Sequence, residues 1–293
     1  MSAVDYVNTP FPDIDPEEEK ARHHKALEPV REAVREVVHF TLPDEISGRL
    51  NLIVEEIEGK PPALARLTEE GGSRRDWYFR FGDGISWSVR EGLGASYYHA
   101  GNAEEIEAEM MKRCTDALEA LEAPDWPSVT RLYTRKLNYE YQAFQFALRR
   151  TLDYLARAAA AFFKTECASI NGLAKALDRT DFPEISGRVI ACVEGAREDL
   201  ADVIEKPNVR DQIAHYEAVE AGQLNIHWGK NFTIVSLAAG GEKFSPFMFS
   251  TNPPPRRYGS SIGFHRLAPA LRNQLERVEQ LVFDVLAELG FPG

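Results

Sequence analysis

From Ser128 to Lys164 the chain runs without a glycine or a proline. Tyr133, Leu137, Tyr141, Phe144, Leu148, Leu152, Leu155, Ala159 and Phe162 recur through this run every three or four residues. Apolar side chains at that period share one face of an α-helix. The spacing predicts a long amphipathic helix over the whole run, with its aromatic stripe turned into a core. One long apolar face must be buried against partners. The strongest segment of the sequence therefore already asks for a helical bundle.

Further helices are expected around it. Asp15 suits an N-cap, with Pro16 at the first helical position and Glu17 to Glu19 at the positive end of the dipole. Others are predicted from Asp44 to about Ile57, from Asn102 to Leu121, from Pro183 to about Glu205, from Asn208 to about 221, and from about His265 to Leu289. The string Glu-Ile-Ser-Gly-Arg opens two of them, at 45–49 and 184–188, without repeating at a fixed period. Asp76 to Glu91 differs in character. Trp77, Phe79 and Phe81, then Ile85, Trp87 and Val89, alternate with other residues on either side of Gly82-Asp83-Gly84, which predicts a β-hairpin. Residues 222–250 read as extended or irregular, with Gly229-Lys230-Asn231 as a turn. The sequence thus predicts a mainly α protein: an antiparallel helical bundle in residues 126–293, and an N-terminal region, 1–125, of helices with a hairpin. Pro124 to Pro127 marks the boundary.

Composition is that of a globular chain, 44 % hydrophobic and 27 % charged over 293 residues. No apolar run approaches the roughly 20 residues that span a bilayer, and the acidic N-terminus does not read as a secretory signal. Cys114, Cys167 and Cys192 are scattered, so a reducing cytoplasm is the expected setting. The net charge of −12 weighs against polyanionic partners. That charge is uneven. Residues 126–164 carry seven basic side chains against Glu140 and Asp153, and residues 250–277 carry five against Glu276. Arg149, Arg150, Arg157, Arg256 and Arg257 are the candidates from these segments for an RNA-binding surface. The alternative is a solvated helix face, or ion pairs with the acidic part of the chain.

No phosphate loop, dinucleotide fingerprint, nucleophile elbow or zinc helix is present. Glu36-Val37-Val38-His39 is a single Glu-x-x-His where a di-iron bundle needs two, and His23, His24, His99, His227 and His265 have no spaced partner. No metal and no cofactor is expected. What remains is Arg210-Asp211-Gln212-Ile213-Ala214-His215 on a short helix after Pro207-Asn208. An imidazole can move a proton to or from a ribose oxygen, and a guanidinium matches a phosphoryl group as its charge grows. Asp211 caps the helix or holds one of the two. Five residues place Arg210 and His215 about 140° apart around a helix, so a two-fold dimer would help to assemble such a site. The plain alternative is an Arg–Asp surface pair beside a packed histidine.

Arg210, Asp211 and His215 give the chain a resemblance to the HEPN superfamily of helical domains, whose signature is Arg-x4–6-His with a polar residue after the arginine. The order of helices over residues 126–293 fits, with an extended insertion at about 222–262. The resemblance implies a cytoplasmic homodimer that cleaves RNA without a metal. His215 and Arg210 would act on the phosphodiester with Asp211 in support, leaving 2′,3′-cyclic phosphate and 5′-OH ends. It also implies a toxin or defence role with an antitoxin or defence partner. The alternative is a non-catalytic helical scaffold or a nucleotide- or partner-binding module.

Overall fold

The structure, a computed structural model, describes residues 41–59, 62–68, 76–120, 128–178, 180–204, 223–229, 232–238 and 267–292. These residues are mainly helical. The expected helices from Asp15 and from Asn208 lie outside them.

Helix α1 (Asp44–Glu58) and the short α2 (Pro62–Thr68) come first. Ile46, Leu50, Ile53 and Ile57 bury one face of α1. The segment from Trp77 is not the hairpin that its alternation predicted. It is helix α3 (Trp77–Asp83), a π-helical turn (Gly84–Val89) and helix α4 (Arg90–Glu119), in unbroken succession. Asp76 is an N-cap, its Oδ1 accepting from the Tyr78 and Phe79 amides at 3.0 and 3.4 Å. The physical reason is in the burial. Trp77, Phe81, Ile85, Val89 and Leu93 are buried, one in every four, whereas Phe79 and Trp87 are 59 % and 69 % exposed. Two of the six residues behind the apparent period-2 signal, Phe79 and Trp87, thus face solvent. Four residues advance an α-helix about 40° beyond a full turn, so a strict four-residue repeat drifts off its face. The wider π turn takes up that drift.

The Gly- and Pro-free run also divides. Ser128–Tyr133 form strand β1, and helix α5 starts only at Arg135 and ends at Phe162. Val129, Thr130 and Tyr133 suit a strand better than a helix start. β1 pairs antiparallel with β2 (Gln223–Gly229), Ser128 opposite Trp228 and Tyr133 opposite Gln223. β2 pairs antiparallel with β3 (Phe232–Ala238), Gly229 opposite Phe232. These two strands occupy the region read as extended.

Helix α5 ends in an i→i+5 bond from the Thr165 amide to the Ala160 carbonyl at 3.0 Å, with Lys164 in the left-handed region, φ 56°. The chain then makes a 3-10 turn (Ile170–Gly172) and helices α6 (Leu173–Leu177), α7 (Pro183–Ala196) and α8 (Ala201–Ile204). The helix expected from Pro183 to Glu205 is therefore two, parted by a turn at 197–200. Helix α9 (Ala268–Glu288) closes the described chain and packs on α4, α5 and α7. Its first amides are held from α4: Glu107, 2 % exposed, accepts from the Leu267 and Ala268 N–H groups at 2.9 and 2.8 Å. Elements on both sides of Pro124–Pro127 share one hydrophobic core.

Candidate functional site

The seam between α4 and α5 forms the groove. The two helices run antiparallel, with Gly84 against Ala158, Gly92 against Thr151 and His99 against Glu140. Glycine is required at the second crossing: a Cβ on Gly92 would stand 2.5 Å from Thr151 Oγ1 and 3.0 Å from its Cα. On one side of this close seam lie two adjoining cavities that share Tyr154 and Arg157. The first, about 740 Å³, is lined by Trp77, Arg80, Asp83, Gly84 and Ser88 and, across from them, by Ala161 and Thr165–Ala168. The left-handed turn at Lys164 is what swings that last segment across to form a wall. The second, about 560 Å³, runs from Glu91, Gly92, Ala95 and His99 to Ala143, Phe146, Arg150 and Asp153.

Two cations dominate the shared wall. Arg150 Nε donates to the Tyr154 hydroxyl at 2.6 Å, and its guanidinium stands 5.2 Å from the ring centre. Arg157 stands 5.7 Å from the same ring and donates to the Ala168 carbonyl at 3.3 Å. Among the described residues neither guanidinium has a carboxylate partner. Arg80, by contrast, is paired with Glu166 at 3.1 Å and stacked on Trp77. Cys167 borders the first cavity, but burial pushes its thiol above the usual range, and Asp153 adds to that shift. It is a poor nucleophile at neutral pH. Among the described residues no three His, Cys, Asp or Glu side chains converge to hold a metal ion.

Arg150 and Arg157, expected from sequence to meet RNA, thus lie exposed in the groove. Arg149 does not. It is 5 % exposed, with Nη1 donating to the Val203 and Ile204 carbonyls at 2.8 and 3.1 Å and Nε 3.2 Å from Asp153 Oδ1. Its role is to tie α8 to α5. Arg210, Asp211, His215, Arg256 and Arg257 lie outside the described residues. Sequence reading passed over Tyr154 as a site residue, counted Glu140 only as a charge, and set His99 aside as a histidine with no spaced partner. Tyr154 sits four residues after Arg150 and three before Arg157, a helical spacing that was there to be read. His99 and Glu140 meet only through the fold.

No protein-family model, curated protein or solved structure matches the chain. Among the described residues no helix is long and apolar enough to cross a membrane.

Proposed function

We propose that the groove carries single-stranded RNA and that the protein is a metal-independent endoribonuclease of HEPN type. The observation that carries the binding half is a pair of guanidinium groups on either side of the Tyr154 ring, with no carboxylate partner among the described residues. Cations along a groove with an aromatic face between them serve a single strand: charges follow the phosphates and the ring accepts any base. The chemical half rests on Arg210, Asp211 and His215, which supply a phosphate fork, a supporting carboxylate and a proton-transfer group. The HEPN-like bundle, the homodimer, cytoplasmic residence and a toxin or defence partner belong to the same reading. The overall charge of −12 suits a selective ribonuclease, since it repels polyanions held by charge alone.

The test is incubation with RNA in excess EDTA beside Arg210→Ala and His215→Ala, with oligonucleotide affinity measured in parallel for Arg150→Ala and Arg157→Ala. Cleavage that survives EDTA, disappears in the first two variants and weakens in the last two is the expected result. RNA that is bound through Arg150 and Arg157 but never cut makes the protein a binding module. That α5 alone supplies both cations and the ring between them favours that second reading.

A further inference from the structure

One end of the groove holds a pair of groups that the motif does not use. His99 Nδ1 lies 2.7 Å from Glu140 Oε2, and Asn102 Nδ2 donates to the same oxygen at 3.3 Å. Both side chains of the pair are about one-quarter exposed, at 25 % and 24 %. When Nδ1–H is donated to the carboxylate, the neutral ring keeps its lone pair on Nε2. His99 lines the second cavity, and no described group bonds Nε2. A ring fixed at one nitrogen by a carboxylate and open at the other is the geometry of a general base.

We propose that His99, oriented by Glu140, is a catalytic general base for a ribose 2′-OH delivered along the groove, with a short single-stranded oligoribonucleotide as substrate class. This rests on the RNA reading above. The helix pairing sets His99 at the level of Ala143, and α5 rises about 21 Å from there to Arg157. A mononucleotide does not span that length, whereas an oligonucleotide touching Arg157 and Arg150 reaches His99. Arg150 and Arg157 hold the neighbouring phosphates, and Phe146 and Tyr154 offer rings to the bases.

In the step, Nε2 takes the 2′-OH proton and O2′ bonds to the adjacent phosphorus. The P–O5′ bond breaks, the departing 5′-oxygen takes a proton from a general acid, the part the reading above leaves to His215, and water carries the imidazolium proton back to that acid. The products are a 2′,3′-cyclic phosphate and a 5′-OH, with no redox change. The charged groups that line the cavity with His99 are Glu91 from α4 and Arg149, Arg150, Asp153 and Arg157 from α5, and Glu140 of α5 faces the ring at Nδ1.

The experiment measures cleavage of a short oligoribonucleotide in excess EDTA across pH, using the full chain, with affinity followed by fluorescence anisotropy. His99→Gln is expected to lose about 100-fold or more in kcat/KM while affinity stays within about twofold. The acid limb of the pH–rate profile is expected to vanish in its residual activity. Imidazole in the buffer should restore part of the rate to His99→Ala, which a folding defect would not allow. Glu140→Gln should cost about tenfold or more with binding retained. Equal cleavage by wild type and His99→Gln, or a loss of rate matched by a loss of affinity, overturns the assignment of His99 alone. RNA left intact by the wild type overturns the ribonuclease reading itself.

Discussion

Arg149 and Arg150 are neighbours in sequence with unrelated tasks, because successive positions on a helix point about 100° apart. Arg149 donates to the carbonyls of Val203 and Ile204 of α8. Arg149→Met leaves those carbonyls and the Asp153 carboxylate short of a partner in a mostly buried place. It should cost about 3 kcal/mol, read as a lower urea midpoint at unchanged slope. Arg150→Ala and Arg157→Ala should each change stability by no more than about 0.5 kcal/mol. Each should lower the salt dependence of oligonucleotide binding by about one unit of slope. An unchanged slope in both would remove these arginines from the binding path. This difference was partly legible: Arg149 follows Leu148 and precedes Leu152 by three, in phase with the buried stripe, whereas Arg150 and Arg157 are out of it. The charge excess of residues 126–164 hid that distinction by treating all its arginines alike. The Arg272 and Arg277 side chains of α9 show the same point, since they pair with Glu104 and Asp199.

At the scale of elements, the helix from Trp77 depends on a close approach that no periodicity reveals. Gly92→Ala would push a methyl into Thr151 and prise α4 from α5, at an expected cost of about 1 to 3 kcal/mol and with weaker oligonucleotide binding. Gly94→Ala meets nothing within 4 Å and should be neutral or stabilising by up to about 1 kcal/mol through helix propensity alone. Urea midpoints of the two variants compared side by side decide this; equal effects would refute the close-packing account. The long α5 and the closing α9 were legible because each buries a full stripe, Leu271, Leu275, Val278, Val282 and Val285 in the latter. β1 was not. Six residues ahead of a strong helix, it looks like that helix's first turns until β2, nearly one hundred residues on, supplies its hydrogen-bond partners. The π turn was hidden by the same apolar repeat that needs it. The groove itself was legible only as arginines, because His99 and Glu140 are brought together by the antiparallel packing of two helices.

Across the molecule, the first and last long helices are joined by Tyr97, whose hydroxyl donates to Glu279 Oε2 at 2.6 Å. Burial is the main cause that raises the Glu279 carboxyl above its usual value, partly offset by that hydrogen bond and by Arg49. Burial, then the Glu279 hydrogen bond, raises Tyr97 as well. A raised acid holds its proton more tightly folded than unfolded. The Glu279 contribution is therefore full below about pH 4.5 and lost as pH climbs through its raised range; that of Tyr97 is full below about pH 10 and lost above it. Relative to Glu279→Gln, the wild type should gain stability as pH falls from 7 towards 4.5, measured by urea midpoints at each pH. A constant difference between the two would disprove it. The Glu107 carboxylate carries a different consequence. It fixes the start of α9 from α4, on a residue 160 positions earlier. An anchor from α4 predicts that α9 stays in place when the chain is cut ahead of it in the folded protein. A protease site inserted between 239 and 266 and cut after folding should leave two fragments that co-elute as one species, and Glu107→Ala should let the shorter one go.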